Sequence, residues 1–179
     1  SGIPGVTSSN VDSTKEIDEP DHAGNPGGKS IWFKWTAPSN GVVTFSTAGS
    51  NFDTLLGIYT GTAVDALSIV GGSDDYPGIA PCSQVTFDAI GGTEYMIAVD
   101  GKAGASGIIV LNWMLEVEND DFAAAILVTP ASGPVAGSNC CATAETGEPD
   151  HCGIVGGTSV WYRWVAPVSE AVTIDTVGS

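Results

Sequence analysis

The sequence predicts an all-β protein, a β-sandwich with jelly-roll or Greek-key connections that repeats in tandem. Three observations predict this fold: short alternating apolar and polar stretches, Gly-, Asn-, Asp- and Pro-rich turns between them, and an internal repeat. Glu19-Pro-Asp-His22 returns as Glu148-Pro-Asp-His151, and Ile31-Trp-Phe-Lys-Trp-Thr-Ala-Pro38 returns as Val160-Trp-Tyr-Arg-Trp-Val-Ala-Pro167. Each matched residue recurs 129 positions later, and a period of that length is one whole domain.

The repeat defines the expected domain organisation. We expect residues 1–117 to form a first sandwich that lacks its lead-in segment. Residues 118–179 would then hold the lead-in segment and the first half of a second sandwich. The chain is therefore expected to belong to a longer tandem-repeat protein.

Most strands are predicted where apolar residues alternate with polar ones between turn signals. The run over 54–60 is apolar and β-branched and is expected to be buried on both faces, and 107–117 is a long apolar strand. The expected strands cover 31–37, 42–47, 54–60, 85–89, 95–99 and 107–117. Residues 122–128 are apolar but too short a run to decide between a helix capped by the preceding aspartates and an extended strand.

The charge of the chain excludes some partners. The net charge is −16, and only five residues are cationic, which argues against nucleic acid and anionic membranes as partners. A hydrophobic fraction of 42% and five tryptophans favour a folded domain over an acidic disordered one. No apolar run is long enough for a membrane span, so membrane insertion is not expected.

The cysteines predict disulfides. Cys140, Cys141 and Cys152 lie in the second copy, at positions that hold Val11, Asp12 and Ala23 in the first. We expect Cys152 to bridge to Cys140 or Cys141, and Cys82 to bridge to the other one of that pair. A metal site is the alternative, but Cys-Cys-x10-Cys lacks the paired spacing of structural zinc. Disulfides indicate an oxidising, extracellular compartment.

Several motifs follow one another in domain order: Asn119-Asp-Asp-Phe-Ala, Glu145-x-x-Glu-Pro-Asp-His, Ser159-Val-Trp-Tyr-x-Trp-x-Ala-Pro, Phe52-Asp-Thr-Leu-Leu-x-Ile-Tyr-Thr-Gly and Tyr95-x-Ile-x-Val-Asp-Gly. This set resembles the bacterial pre-peptidase C-terminal domain, as found in tandem modules of secreted and surface proteins. The resemblance implies a calcium-binding jelly roll that is exported and not itself catalytic. The chain departs from the pattern by its extra cysteines and by lacking a peptidase domain, so collagen binding is not carried over.

Two groups of oxygen-bearing residues are candidate calcium ligands. The first group lies at the start of the second repeat, with counterparts in the first copy: Asn119, Asp120, Asp121, Glu145, Glu148 and Asp150, and Glu16, Glu19 and Asp21. The second group is Asp53 with Asp74 and Asp75, on loops that flank the strand over 54–60. Any one of these acids has the alternative role of capping a turn, and the repeated Glu-x-x-Glu-Pro-Asp motif favours metal binding for the first group.

The two histidines and two of the tryptophans have structural alternatives to a functional role. His22 and His151 stand in the repeated turn without a recognisable nucleophile, so we interpret them as hydrogen-bonding turn residues and expect no enzyme activity. Trp32 and Trp161 face away from their aromatic neighbours and would stack on a sugar ring if exposed. Coverage by loop residues is the interpretation that we favour.

Taken together, the sequence predicts a non-catalytic, calcium-stabilised extracellular sandwich with a structural, adhesive or fibre-forming role. Its expected partners are neighbouring repeats, copies of itself, or an extracellular protein or polysaccharide. The alternative is a substrate-binding accessory module of a secreted hydrolase, acting on protein or polysaccharide.

Overall fold

The structure is a computed structural model that describes residues 5–129, 133–151, 153 and 157–176. The chain divides into two compact units, Ser1–Glu118 and Asn119–Ser179, here called unit 1 and unit 2. The boundary between them lies one residue after the one expected from the repeat.

Unit 1 is an eight-stranded jelly roll. Its strands are β1 (Gly5–Ser9), β2 (Ile31–Thr36), β3 (Gly41–Ser46), β4 (Thr54–Thr60), β5 (Ser68–Ser73), β6 (Gln84–Ala89), β7 (Glu94–Gly101) and β8 (Ile108–Val117). They form two four-stranded antiparallel sheets with the orders β1-β8-β3-β6 and β2-β7-β4-β5. Most chain connections cross from one sheet to the other, and this interleaving is that of a jelly roll. The predicted all-β sandwich class is therefore confirmed.

The core of unit 1 lies between these two sheets. Val43 and Phe45 of β3 belong to the same buried cluster as Ile58 of β4 and Ile97 of β7, and none of them is more than 1% exposed. In each strand the core residues are two positions apart, as the alternation of a pleated strand requires. Burial of these apolar side chains is the main stabilising contribution to the sandwich.

Two strands lie where none was expected. The segments β1 and β5 are rich in Gly and Ser and carry no alternating apolar pattern. Both are outer strands, paired on one side only, with β8 and β4 respectively. Their extended conformation comes from backbone pairing with an apolar neighbour, which their own composition does not indicate.

Unit 2 contains two short strands among its described residues, β9 (Ile126–Val128) and β10 (Tyr162–Trp164), which pair in parallel. The undecided segment 122–128 therefore begins as a 3-10 turn at Phe122–Ala124 and continues as a strand. No described residue after β10 is in a strand, and the side chain of Ile174 is 80% exposed.

Helical structure in the described residues consists of three short 3-10 turns, at Val64–Ala66, Lys102–Gly104 and Phe122–Ala124. None of these helices has the length and apolar character needed to cross a membrane.

The fold makes a direct prediction about stability. Ile97→Ala removes a fully buried side chain between the sheets and is expected to lower the free energy of unfolding of unit 1 by about 3 kcal/mol. Ile69→Ala makes the same change in a strand at a site that is 64% exposed, and should cost less than about 1 kcal/mol. Urea unfolding of both variants measures the difference, and equal costs would contradict the position of the core.

Candidate metal centre

The pairing of three strands brings distant acidic residues to one end of a sheet. Strand β4 begins opposite the end of β7, with Thr54 paired to Gly101. The end of β5 lies on the other side of β4, with Ser73 paired to Leu56. Residues that adjoin these three strand ends therefore lie close together although they are far apart in the sequence.

The residues at this end of the sheet are Asp53, Asp74, Asp75 and Lys102. Carboxylate oxygens of the three aspartates lie within 4.8 Å of one another, and no other group of three His, Cys, Asp or Glu residues in the described part of the chain does so. The ammonium Nζ of Lys102 lies 2.9 Å from Asp74 Oδ2 and 3.1 Å from Asp75 Oδ2. The structure thus assembles the second group of predicted ligands, with one cation beside it.

The three carboxylates are not fully compensated by this lysine. Oδ1 of Asp53 and Oδ1 of Asp74 are both buried and have no hydrogen-bond partner in the described residues. Burial raises the pKa of Asp53 above its ordinary value of 3.8, and the charges of Asp75 and Asp74 add to this rise against the opposing effect of Lys102. Hydrogen bonds to Asp74 and Asp75 raise the pKa of Lys102. The centre therefore has room for further positive charge at two oxygens that lack a partner.

A buried hydroxyl network holds the loops that carry the aspartates. Ser83 Oγ lies 2.6 Å from the carbonyl oxygen of Thr54 and 2.7 Å from that of Asp74. The hydroxyls of Thr47 and Thr54 are 2.7 Å apart, and both side chains are fully buried. The backbone N–H of Lys102 donates to the carbonyl oxygen of Asp53 at 3.0 Å. These bonds fix the backbone on both sides of the carboxylates, which preorganises the centre.

In unit 1 the first group of predicted ligands, Glu16, Glu19 and Asp21, lies in and beside the repeated turn. Glu19 Oε2 accepts the backbone N–H of Glu16 at 2.8 Å, and Glu19 Oε1 lies 2.9 Å from His22 Nε2. Asp21 pairs with Lys15 at 2.8 Å. The carboxylates of Glu16, Glu19 and Asp21 are thus used to hold a turn or face solvent, and they do not converge on one point.

The turn is closed by a buried chain of hydrogen bonds. His22 is fully buried, and its Nδ1 lies 2.8 Å from the hydroxyl of Tyr59 in β4. Burial by itself raises the pKa of Glu19, but hydrogen bonds from the side chain of Ser30, the backbone of Glu16 and His22 outweigh it and lower the pKa. Burial and the charges of Glu19 and Asp21 raise the pKa of Tyr59 to about 12. The ionised Glu19 accepts from His22 Nε2–H, and Nδ1 of the same ring is hydrogen-bonded to the hydroxyl of Tyr59.

The same local bonds recur in unit 2. Glu148 Oε2 accepts the N–H of Glu145 at 3.0 Å, and Glu148 Oε1 lies 2.7 Å from His151 Nε2. Asp120 accepts from the hydroxyl of Thr143 at 2.8 Å. Glu145 accepts the N–H of Phe122, Asn119 binds the backbone of Trp161, and Asp121 and Asp150 are exposed. In the structure these side chains thus form hydrogen bonds within the turn and its lead-in segment or face solvent, and the metal role expected for the group stays a prediction.

The tryptophans are covered by the same turns. The ring of Trp32 packs edge-on against His22 at a centroid distance of 5.4 Å and lies 5.7 Å from Tyr59. Trp161 packs against His151 at 5.6 Å. Each ring is thus half-buried against the histidine of its own turn, and stacking of Trp32 or Trp161 on a sugar stays a prediction.

The described cysteines are free thiols. Cys82 is buried in unit 1, where its Sγ lies 3.8 Å from the carbonyl oxygen of Ser50, and its bridge to Cys140 or Cys141 of unit 2 stays a prediction. Cys140 and Cys141 are exposed, with their Sγ atoms 3.8 Å apart, well beyond the length of a disulfide bond. Cys152 lies outside the described residues, and its bridge stays a prediction.

Sequence reasoning missed Asp100, which is fully buried. Its carboxylate accepts the backbone N–H groups of Gly28 at 3.0 Å, Lys29 at 2.7 Å and Gly101 at 2.7 Å. Gly27 has φ of +57°, and a Cβ there would overlap the Asp100 carboxylate. The Gly-Gly pair and the Asp-Gly motif were both visible in the sequence, but only the fold reveals that one binds the other.

No protein-family model matches the chain, and no match is found among curated proteins. The likeness to pre-peptidase C-terminal domains therefore stays a resemblance of motifs, and arguments about function rest on the geometry of the site.

The buried carboxylate generates a prediction about pH. Because the folded state lowers the pKa of Glu19 below its ordinary value of 4.5, its ionisation stabilises the fold above that pH, and the contribution is lost as the pH falls through the lowered pKa. Glu19→Gln replaces an acceptor oxygen by a donor and should cost about 2 kcal/mol at pH 7. Below the lowered pKa the difference from the wild type should shrink towards zero.

The matched control is Glu116→Gln, at an exposed carboxylate in β8, which should cost less than about 0.5 kcal/mol at either pH. Urea unfolding at pH 7 and pH 3 measures these differences. A cost for Glu19→Gln that is equally large at pH 3 would contradict the assigned role of the charge.

Proposed function

We propose that unit 1 is a non-catalytic β-sandwich module stabilised by calcium bound between Asp53, Asp74 and Asp75. The observation that carries this proposal is the convergence of three carboxylates within 4.8 Å, two of which have a buried oxygen without a hydrogen-bond partner. A buried polar atom without a partner destabilises a fold, and such atoms are tolerated where a ligand satisfies them.

The chemistry of the ligand set favours calcium over softer metals. All three side chains offer hard carboxylate oxygens, and calcium takes six to eight oxygen ligands in flexible geometry. Zinc and copper sites use histidine or cysteine, and neither residue belongs to this group. Lys102 is the resident cation at Asp74 and Asp75, and its long side chain is 34% exposed, so it can turn outward when a metal binds.

The remaining parts of the proposed function are a structural or adhesive role, neighbouring repeats or copies of the chain as partners, and an extracellular location. The resemblance to exported tandem modules supports all three. The net charge of −16 suits a surface that works among free cations. A structural role is also favoured by the two histidines, since both are engaged in turn hydrogen bonds with glutamate.

Calcium should raise the melting temperature of unit 1. Extracellular modules bind calcium with Kd of about 10⁻⁴–10⁻³ M. At about ten times the Kd, binding adds about 1.4 kcal/mol, or a rise of about 5 °C for a domain of this size. Differential scanning calorimetry in EDTA and in 5 mM calcium measures the rise. A melting temperature that is the same in both would contradict the proposal.

The Asp53→Asn variant tests whether the three aspartates bind a metal or only form an ion pair with Lys102. Above its raised pKa the ionised Asp53 opposes folding, so the variant should be more stable than the wild type in EDTA at pH 7, and this gain should vanish below pH 3.8. The same variant should lose most of the calcium-dependent rise. Asp88→Asn, at an exposed aspartate in β6, should change neither quantity.

Lys102→Gln should have effects opposite to those of Asp53→Asn: lower stability without metal and tighter calcium binding. Without metal the variant loses the cation that compensates Asp74 and Asp75, so it should melt at a lower temperature. Because its ammonium no longer competes for Asp74 and Asp75, the variant should bind calcium more tightly, by about fivefold, as expected for the loss of one exposed ion pair. Isothermal titration calorimetry measures the affinity, with Lys34→Gln, an exposed lysine paired with Glu94, as the control. Weaker calcium binding by Lys102→Gln would place the metal elsewhere.

A further inference from the structure

Unit 2 shows how a short peptide segment is held against a repeated turn. We call Asn119–Val128 the lead segment. The backbone N–H of Trp161 donates to the carbonyl oxygen of Asn119 at 2.9 Å, and the N–H of Ile126 donates to the carbonyl oxygen of Trp161 at 3.1 Å. Beyond this point the lead segment continues as β9 and pairs in parallel with β10. The backbone of Trp161 thus binds the lead segment with both its donor and its acceptor.

Side chains complete this attachment. The ring of Phe122 packs edge-on against Trp161 at a centroid distance of 5.0 Å and an angle of 87°. The backbone N–H of Phe122 donates to Glu145 Oε2 at 2.8 Å. The carboxylate of Asp120 accepts from the hydroxyl of Thr143 at 2.8 Å. An aromatic ring, a backbone N–H and a carboxylate of the lead segment are each matched to one residue of the turn.

Every residue that holds the lead segment has a counterpart 129 positions earlier, in unit 1. Thr143 corresponds to Thr14, Glu145 to Glu16, Trp161 to Trp32, and strand β10 to residues Phe33–Trp35 within β2. The chemistry is retained at each position, since the first three pairs are identical and the strand is aromatic-cation-aromatic in both copies.

The backbone of unit 1 is open where unit 2 is occupied. Strand β2 is the outer strand of its sheet and pairs only with β7. Ala37 donates to Thr93 in the same antiparallel register, so the odd-numbered residues of β2 exchange hydrogen bonds with β7. The N–H and C=O of the intervening Trp32 point away from β7, because the two kinds of pair alternate along an antiparallel ladder. The N–H and C=O of Trp32 therefore point to the open edge of β2, just as the N–H and C=O of Trp161 point to the lead segment.

A groove beside Trp32 has the size and the lining to hold an aromatic side chain such as that of Phe122 in the lead segment. Its volume is about 210 Å³, and Glu16, Trp32, Met96, Val64 and Leu67 line it together with backbone of the 61–63 loop. A cavity of about 150 Å³ is enough to hold benzene, so a phenylalanine ring fits this groove. The carboxylate of Glu16 is exposed and makes no hydrogen bond within the described residues. The acceptor for a backbone N–H and the surface for an aromatic ring therefore lie side by side.

We propose that the outer edge of β2 and the groove beside Trp32 form a binding site for a peptide segment of the chemistry of Asn119–Val128. Its aromatic ring packs against Trp32, the N–H of the same residue donates to Glu16, and an aspartate two residues before it accepts from Thr14. The aliphatic residues that follow add as a parallel strand to β2, which is recognition by strand addition. The proposal does not depend on calcium binding.

A synthetic peptide of residues 119–128 with blocked termini tests the site when titrated into the full chain, residues 1–179. Calorimetry should show one peptide bound per chain, and the backbone N–H resonance of Trp32 should shift on binding. Glu16→Gln should weaken the binding about tenfold, the effect of losing one charge-assisted hydrogen bond. A peptide with alanine in place of Phe122 should bind at least about tenfold more weakly, because it leaves the groove empty.

The matched control is Glu116→Gln, at an exposed glutamate in β8 of the other sheet, which should leave the affinity for the peptide unchanged. Glu16 is exposed, so Glu16→Gln should also keep the melting temperature of the wild type. If the chain alone forms dimers that the peptide dissociates, a second copy supplies the same segment, and this result supports the proposal. Absence of binding at 1 mM peptide, or an affinity that is as sensitive to Glu116→Gln as to Glu16→Gln, overturns it.

Discussion

The buried hydrogen-bond chain from Glu19 through His22 to Tyr59 is the interaction on which the first repeat depends. It joins a turn that is rich in Pro, Asp and Gly to the central strand β4, and it lays that turn over the ring of Trp32. A buried carboxylate is costly unless several donors satisfy it, and Glu19 has the backbone of Glu16 in addition to His22. The turn and the sheet therefore stabilise each other, and neither makes these bonds alone.

Comparison of the turn in unit 1 with the turn in unit 2 shows which of its features depend on the local sequence and which depend on burial. The bond between glutamate and histidine forms in both units, with distances of 2.9 Å and 2.7 Å. The side chain of His22 is fully buried beside Tyr59, whereas that of His151 is 51% exposed. The four residues Glu-Pro-Asp-His are thus enough to form the hydrogen bond of the turn. The histidine becomes buried only where the strands of a sandwich pack on the turn.

The proposed metal centre and the proposed peptide site both depend on the ends and edges of the same sheet. Antiparallel pairing of β4 with β7 and β5 places the starts and ends of three strands together, which converts isolated loop aspartates into a convergent set of oxygens. The outer position of β2 leaves backbone groups of Trp32 unpaired. Exposed strand edges are prone to unwanted pairing, and a matched peptide segment is a specific way to cover one. The strand order of this one sheet therefore accounts for both the cluster of aspartates and the open edge of β2.

The sequence by itself determined the all-β class, six strands read from alternating or continuous apolar residues, and the hydrogen-bonding role of the histidine in its repeated turn. Those features depend on local periodicity and on residues close in the chain. Only the tertiary structure decided that Gly-rich segments form the outer strands β1 and β5, that Asp100 holds the Gly27-Gly28 loop, and which group of acids converges. The repeated motif around Glu148 indicated one group of acids, whereas the group whose carboxylates converge in the structure is Asp53, Asp74 and Asp75. A repeated motif is as typical of a hydrogen-bonded turn as of a ligand set. Asp53 and Asp74 are separated by a whole hairpin, and their distance is set by strand register, which no local pattern encodes.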